Sequence, residues 1–108
     1  MNSDSNKNKL FVPKVSIGMP VYNGVESIRR AIDSVLTQTF SDFELIISDN
    51  GSTDSTSKIC REYEKKDKRI QYIKQEKNNG WFFNFKFVLD LASCKYFVWL
   101  ADDDYWES

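Results

Sequence analysis

The chain has 108 residues, 41% of them hydrophobic, and sets 15 Lys and Arg against 16 Asp and Glu for a formal charge of -1. That is one domain or part of one, long enough to bury roughly 65% of its unfolded surface and so to build a core without metal or disulfide staples. The balanced charge gives no broad positive field, which argues against nucleic acid as a partner, and the absence of any histidine excludes Ser-His-Asp and Cys-His catalysis and imidazole-held zinc within this chain.

Residues 1–10, rich in Asn, Ser and Lys, lack apolar periodicity and predict a disordered leader, with folding expected from near Phe11. No apolar run approaches the roughly 20 residues that cross a bilayer, and no signal peptide precedes the fold. Cys60 and Cys94 fall in expected helices without metal-ligand spacing and read as reduced, buried thiols. A cytoplasmic setting is expected.

Val15, Ile17 and Met19 alternate between Pro13 and Pro20, the pattern of a strand stopped by proline. After a turn at Asn23 and Gly24, the spacing of Ile28, Ala31, Ile32, Val35 and Leu36 predicts an amphipathic helix with Arg29, Arg30 and Asp33 on its wet side. Leu45, Ile46 and Ile47 form an unbroken apolar run within Phe43 to Ser48, as for a parallel strand covered on both faces. Gly51 to Asp54 then supply turn and cap chemistry for a helix to about Lys66, with Ile59, Cys60 and Tyr63 inward. Ile70, Tyr72 and Ile73 make a third strand. The turn Asn78-Asn79-Gly80 opens a helix from Trp81 to about Ala92, apolar on nearly every side and therefore expected to be buried on more than one face or packed against further protein. Tyr96 to Leu100 make a fourth strand.

Strands alternating with helices across short connections predict a Rossmann-like open α/β sheet, mainly parallel, with helices on both faces and strand order 3-2-1-4. Ligands of such sheets bind beyond the carboxyl ends of the strands, where the order reverses. Four segments fall there: Pro20 to Gly24, Asp49 to Ser52, Asn78 to Gly80, and Asp102 to Asp104. Two carboxylates about 4 Å apart repel by roughly 4 kcal/mol at an effective dielectric of 20, which a divalent cation would relieve. Oxygen-only donors suit Mg²⁺ or Mn²⁺ completing its shell with substrate phosphates. The plainer alternatives are a solvated turn or helix cap at Asp102 to Asp104, a turn role for Asp49, a strand stop and turn at Pro20 and Gly24, and a plug of the sheet end by Tyr22. No Gly-x-Gly-x-x-Gly and no Gly-Lys-Ser/Thr loop is present, which sets aside dinucleotide-binding Rossmann domains and P-loop NTPases.

Four motifs occur in order: Val15-Ser16-Ile17-Gly18-Met19-Pro20-Val21-Tyr22-Asn23-Gly24, Ile46-Ile47-Ser48-Asp49-Asn50-Gly51-Ser52-Thr53-Asp54, Asn78-Asn79-Gly80, and Trp99-Leu100-Ala101-Asp102-Asp103-Asp104-Tyr105-Trp106. Together they make the chain resemble the N-terminal, nucleotide-sugar-binding half of family 2 glycosyltransferases with the GT-A fold, over residues 11–108. The resemblance implies a nucleoside diphosphate sugar donor, most often a UDP-sugar, and an acceptor that is a glycan, a lipid-linked glycan or a protein, as in cell-envelope polysaccharide synthesis at the inner face of the membrane. It implies that Pro20, Val21, Tyr22 and Asp49 hold the nucleoside, with Asp49 on the base. Asp102 is assigned to the ribose, and Asp103 with Asp104 to Mn²⁺ or Mg²⁺, in a DxD-type motif whose first acidic position is Ala101. It further implies metal-assisted, inverting transfer, with the catalytic base in a C-terminal half beyond Ser108, so that no catalytic residue is assigned here and this chain alone is expected to lack turnover. Two other classes compete: a receiver-like Mg²⁺-binding signalling module, whose acids would follow the first and third strands rather than the second and fourth, and a non-catalytic fragment that self-associates through uncovered apolar surface.

Overall fold

The computed structural model describes residues 14–38, 42–92 and 96–100. The expected leader, Cys94 and the acidic run Asp102 to Asp104 lie outside them. Four strands, β1 (Val15–Val21), β2 (Phe43–Asp49), β3 (Ile70–Lys74) and β4 (Tyr96–Trp99), form one sheet of order β3-β2-β1-β4, interleaved with α1 (Ile28–Leu36), α2 (Thr56–Lys66) and α3 (Trp81–Leu91). Every pairing is parallel, with Ile17 opposite Leu45 and Val98, and Ile47 opposite Tyr72.

Because successive side chains of a strand point to opposite faces, the sheet has two unlike surfaces. Ile17, Met19 and Val21 of β1 and Leu45 and Ile47 of β2 join Ile28, Ala31, Ile32 and Val35 of α1 and Ile59 and Cys60 of α2 in one buried cluster. Of the intervening residues, Ile46 is fully buried, Gly18 meets Val88 of α3 and Ser48 meets Asn84, the two residues that α3 buries. Space there is tight: a Cβ on Gly18 would stand 2.5 Å from Val88 and 2.6 Å from Phe97.

One expectation needs correction. Pro20 does not end β1; the strand continues through it to Val21, with Pro20 opposite Ser48. The β1–β4 ladder closes with the Leu100 N–H donating to the Gly18 carbonyl at 2.9 Å, and Pro20, two residues on and directed to the same side, lies past that last bond, so its missing N–H breaks no pairing. Of the two alternatives for α3, burial on more than one face is not what the described residues show: Trp81, Phe82, Phe83, Leu89 and Leu91 are exposed, which leaves packing against further protein.

Candidate functional site

The carboxyl ends of β1 and β2 and the start of α3 enclose a cavity of about 140 Å³ lined by Pro20, Val21, Tyr22, Asn50, Trp81, Asn84 and Phe85. Three of the nucleoside-site residues named from sequence, Pro20, Val21 and Tyr22, are therefore together in one wall. Asp49 is not among the lining residues. It belongs to the β2 side chains that face α1 and α2, is fully buried, and accepts a hydrogen bond from the Tyr72 hydroxyl at 2.5 Å on one oxygen and from the Ser52 N–H at 2.8 Å on the other. Burial, and then this bond to Asp49, pushes the Tyr72 phenol well above its ordinary pKa. The plainer turn role is visible here, since the Ser52 contact fixes the bend after β2.

Asn50, one residue on, points the other way. Its amide nitrogen donates to the Asn78 side-chain oxygen at 2.9 Å and the Gly80 carbonyl at 3.2 Å, and its oxygen accepts from the Asn79 N–H at 3.0 Å. These three partners fix which end of the amide is oxygen and tie the Asn78-Asn79-Gly80 turn to the end of β2. Gly51 permits the close approach: its φ is +84°, and a Cβ there would stand 2.7 Å from the backbone of Lys77. Below the cavity, the Ser48 hydroxyl donates to the Asn84 side-chain oxygen at 2.6 Å, and the Asn84 amide donates to the Ser48 carbonyl at 2.8 Å, so both buried polar groups are satisfied.

The first loop is held just as firmly. Asn23, in the left-handed region at φ 50°, donates its N–H to Ser52 Oγ at 2.8 Å and accepts from the Thr53 N–H at 2.8 Å, while the Gly24 N–H donates to Thr56 Oγ1 at 2.9 Å. Through these bonds Ser52, Thr53 and Thr56 lock the β1 loop to the β2 loop, and Tyr22 is left 45% exposed at the cavity mouth.

Sequence reasoning missed Asn50, Trp81, Asn84 and Phe85 as cavity residues. A period-two count along β2 carried the signal for Asn50, because it puts Asp49 with Leu45 and Ile47 on the core face. Asp102 and the expected metal ligands Asp103 and Asp104 lie outside the described residues, and among the described residues no three His, Cys, Asp or Glu side chains gather closely enough to hold a metal ion. No described helix is long and apolar enough to cross a membrane.

The fold is shared with known proteins. Over 94 residues the chain is 36% identical to the glycosyltransferase GlyA of Streptococcus pneumoniae, covering 87% of this chain and 13% of that protein. Over 102 residues it is 36% identical to the GalNAc(5)-diNAcBac-PP-undecaprenol beta-1,3-glucosyltransferase of Campylobacter jejuni, covering 86% of this chain and 30% of that protein. The crystal structure of Staphylococcus aureus TarS 1–349 in complex with UDP superposes with a TM-score of 0.79 at 28% identity, over 85% of this chain and 28% of that one. The chain thus spans less than a third of the length of each of these proteins. The family model for Glycosyl transferase family 2 matches residues 16–108. With that match over most of its length and a 3-2-1-4 parallel sheet of the GT-A type, the chain belongs to glycosyl transferase family 2.

Proposed function

We propose that this chain binds the nucleoside of a nucleoside diphosphate sugar in the cavity at the ends of β1 and β2, as the donor side of a glycosyl transfer to a glycan, lipid-linked or protein acceptor. The observation that carries the reading is the cavity itself. Three of the four residues expected to hold a nucleoside line it, and its volume, about 140 Å³, is below the roughly 300 Å³ at which pockets begin to enclose whole drug-sized ligands. It suits a flat ring, with the diphosphate running out over the rim.

The base-facing role expected of Asp49 passes in this reading to Asn50. Both amide hydrogens of Asn50 are used, whereas its oxygen accepts one described bond and keeps a second lone pair. An open acceptor selects a base that offers a donor, such as the ring N–H of uracil, over cytosine, which has none at that position. Asp49 then acts from beneath, fixing the turn that aims Asn50. Asp102 would contact the ribose, and Asp103 with Asp104 would hold Mn²⁺ or Mg²⁺, which supplies neutralising charge to the diphosphate. A base that activates the acceptor, and an inverting outcome, are expected of the longer protein, at the cytoplasmic face of the membrane.

Thermal unfolding with UDP, GDP, CDP and TDP, each with and without Mn²⁺, tests the reading. Binding at about 100 times Kd should add about 2.7 kcal/mol, a rise of several degrees in Tm for a chain this size. UDP should give the largest rise, CDP less, and the Mn²⁺ increment should vanish in Asp103→Ala. Cooperative unfolding with no shift from any nucleotide would refute a donor site in this chain. Self-association is a second reading, favoured by the exposed aromatic residues of α3; a single monomeric boundary in sedimentation velocity at high concentration would dismiss it.

A further inference from the structure

Trp81 is 71% exposed, although it lines the cavity with Tyr22 and Asn50. A tryptophan left in water forgoes the burial that makes the residue stabilising, so the fold gains little from it in this position. Its placement is nevertheless fixed. The preceding turn is pinned to β2 through Asn50, which bonds Asn78, Asn79 and Gly80. Its ring meets Phe82 and Phe85 edge-on, with centroids 5.8 Å apart in both pairs and interplanar angles of 89° and 86°. With the residue 71% exposed, most of the indole surface stays open to a ligand, and Phe85, its second aromatic partner, is itself a cavity residue.

We propose that Trp81 is a specificity-determining residue of the donor site: its indole stacks on the nucleobase and, with Tyr22, narrows the slot to a single ring, favouring pyrimidine over purine nucleoside diphosphates. This rests on the donor reading given above. The aromatic wall supplies contact area in a prearranged position, so little ordering cost is incurred on binding, while the Asn50 oxygen reads the base edge.

The test is a titration of the chain with UDP and GDP, following the indole N–H signal that disappears in Trp81→Phe and measuring Kd for wild type, Trp81→Ala, Trp81→Phe and the control Leu89→Ala. Leu89 lies on the same helix, is 49% exposed and does not line the cavity. Expected are a shift of the Trp81 indole signal on UDP addition and a loss of UDP affinity in Trp81→Ala of roughly 5- to 150-fold, the range that base-on-aromatic stacking spans. The preference for UDP over GDP should shrink in Trp81→Ala and largely return in Trp81→Phe, with Leu89→Ala unchanged and all variants unfolding within a few degrees of wild type. UDP binding that leaves the indole signal unmoved and is equally tight in Trp81→Ala would overturn the stacking role while leaving the donor reading in place. Affinity lost only in step with a lowered Tm, at a constant UDP-to-GDP ratio, would reduce Trp81 to a structural residue. Wild type that binds neither nucleotide would refute the donor reading itself.

Discussion

The two faces of the sheet are built on opposite rules. On the α1–α2 face, Ile17, Met19, Val21, Leu45 and Ile47 are fully or almost fully buried under helices whose apolar stripe is narrow and whose outer side is charged. On the α3 face, the strands offer Gly18, Ile46 and Ser48 with Phe97 and Trp99 of β4, the helix answers with Asn84, Phe85 and Val88, and Trp81, Phe82 and Phe83 stay exposed. The first face holds the domain together by burying area. The second seats α3 through the space left at Gly18, a paired polar contact at Ser48 and an aromatic contact between Phe85 and Trp99, and so delivers Trp81 and Phe85 to the rim where the cavity forms. Stability and site geometry are thus divided between the two sides of a single sheet.

If that division is right, the largest losses fall on the first face. Ile47→Ala, at a fully buried position between α1 and α2, should cost about 2–5 kcal/mol in urea unfolding, the range for removing a core aliphatic side chain and leaving a cavity. Gly18→Ala sharpens the contrast by adding one methyl to the second face. With Val88 and Phe97 already in the way, overpacking should cost about 1–3 kcal/mol. If α3 moves with Val88 to accept it, UDP affinity should fall beyond what the stability change explains, whereas Ile47→Ala should leave the affinity of the folded fraction close to wild type.

Much of this arrangement is legible in the amino-acid sequence. The strands, the helices and the 3-2-1-4 order follow from apolar spacing and the length of the connections, since a two-sided apolar run such as Leu45-Ile46-Ile47 has few other uses. The face of α3 that meets the sheet is not legible, because apolar residues at Trp81, Phe82, Phe83, Phe85, Phe87, Val88, Leu89 and Leu91 give periodicity no direction. What decides it is the partners on the sheet: Val88 fits over Gly18, Asn84 pairs with Ser48, and Phe85 packs on Trp99. The place of Asn50 in the cavity wall goes unread for a related reason. Charge draws the functional role to Asp49, while strand parity places its carboxylate in the core, bonded to Tyr72 and Ser52.

Asn84→Ala tests the polar half of the contrast at intermediate cost. It strips the buried Ser48 hydroxyl of its partner and removes one bond to the Ser48 carbonyl, for which about 1–3 kcal/mol is expected. Adding Ser48→Ala should recover part of that loss, because an unmet hydroxyl is costlier than an absent one. An additive double variant would show that the pair is not coupled and that packing at Val88 and Phe85 seats the helix.

Phe82→Ala has the smallest expected effect and the most direct bearing on the comparison. Phe82 is 65% exposed and meets Trp81 edge-on, so its removal should change unfolding free energy by no more than about 0.5 kcal/mol, with the better helix propensity of alanine offsetting part of any loss. The measurement is a urea midpoint taken at two protein concentrations tenfold apart. A loss above about 1 kcal/mol that grows with concentration would mean that a second copy covers the outer face of α3 in solution, because only an associating system makes stability depend on protomer concentration. The aromatic face would then contribute buried area like the α1–α2 face, and the division of labour between the two sides of the sheet would hold only for the isolated monomer.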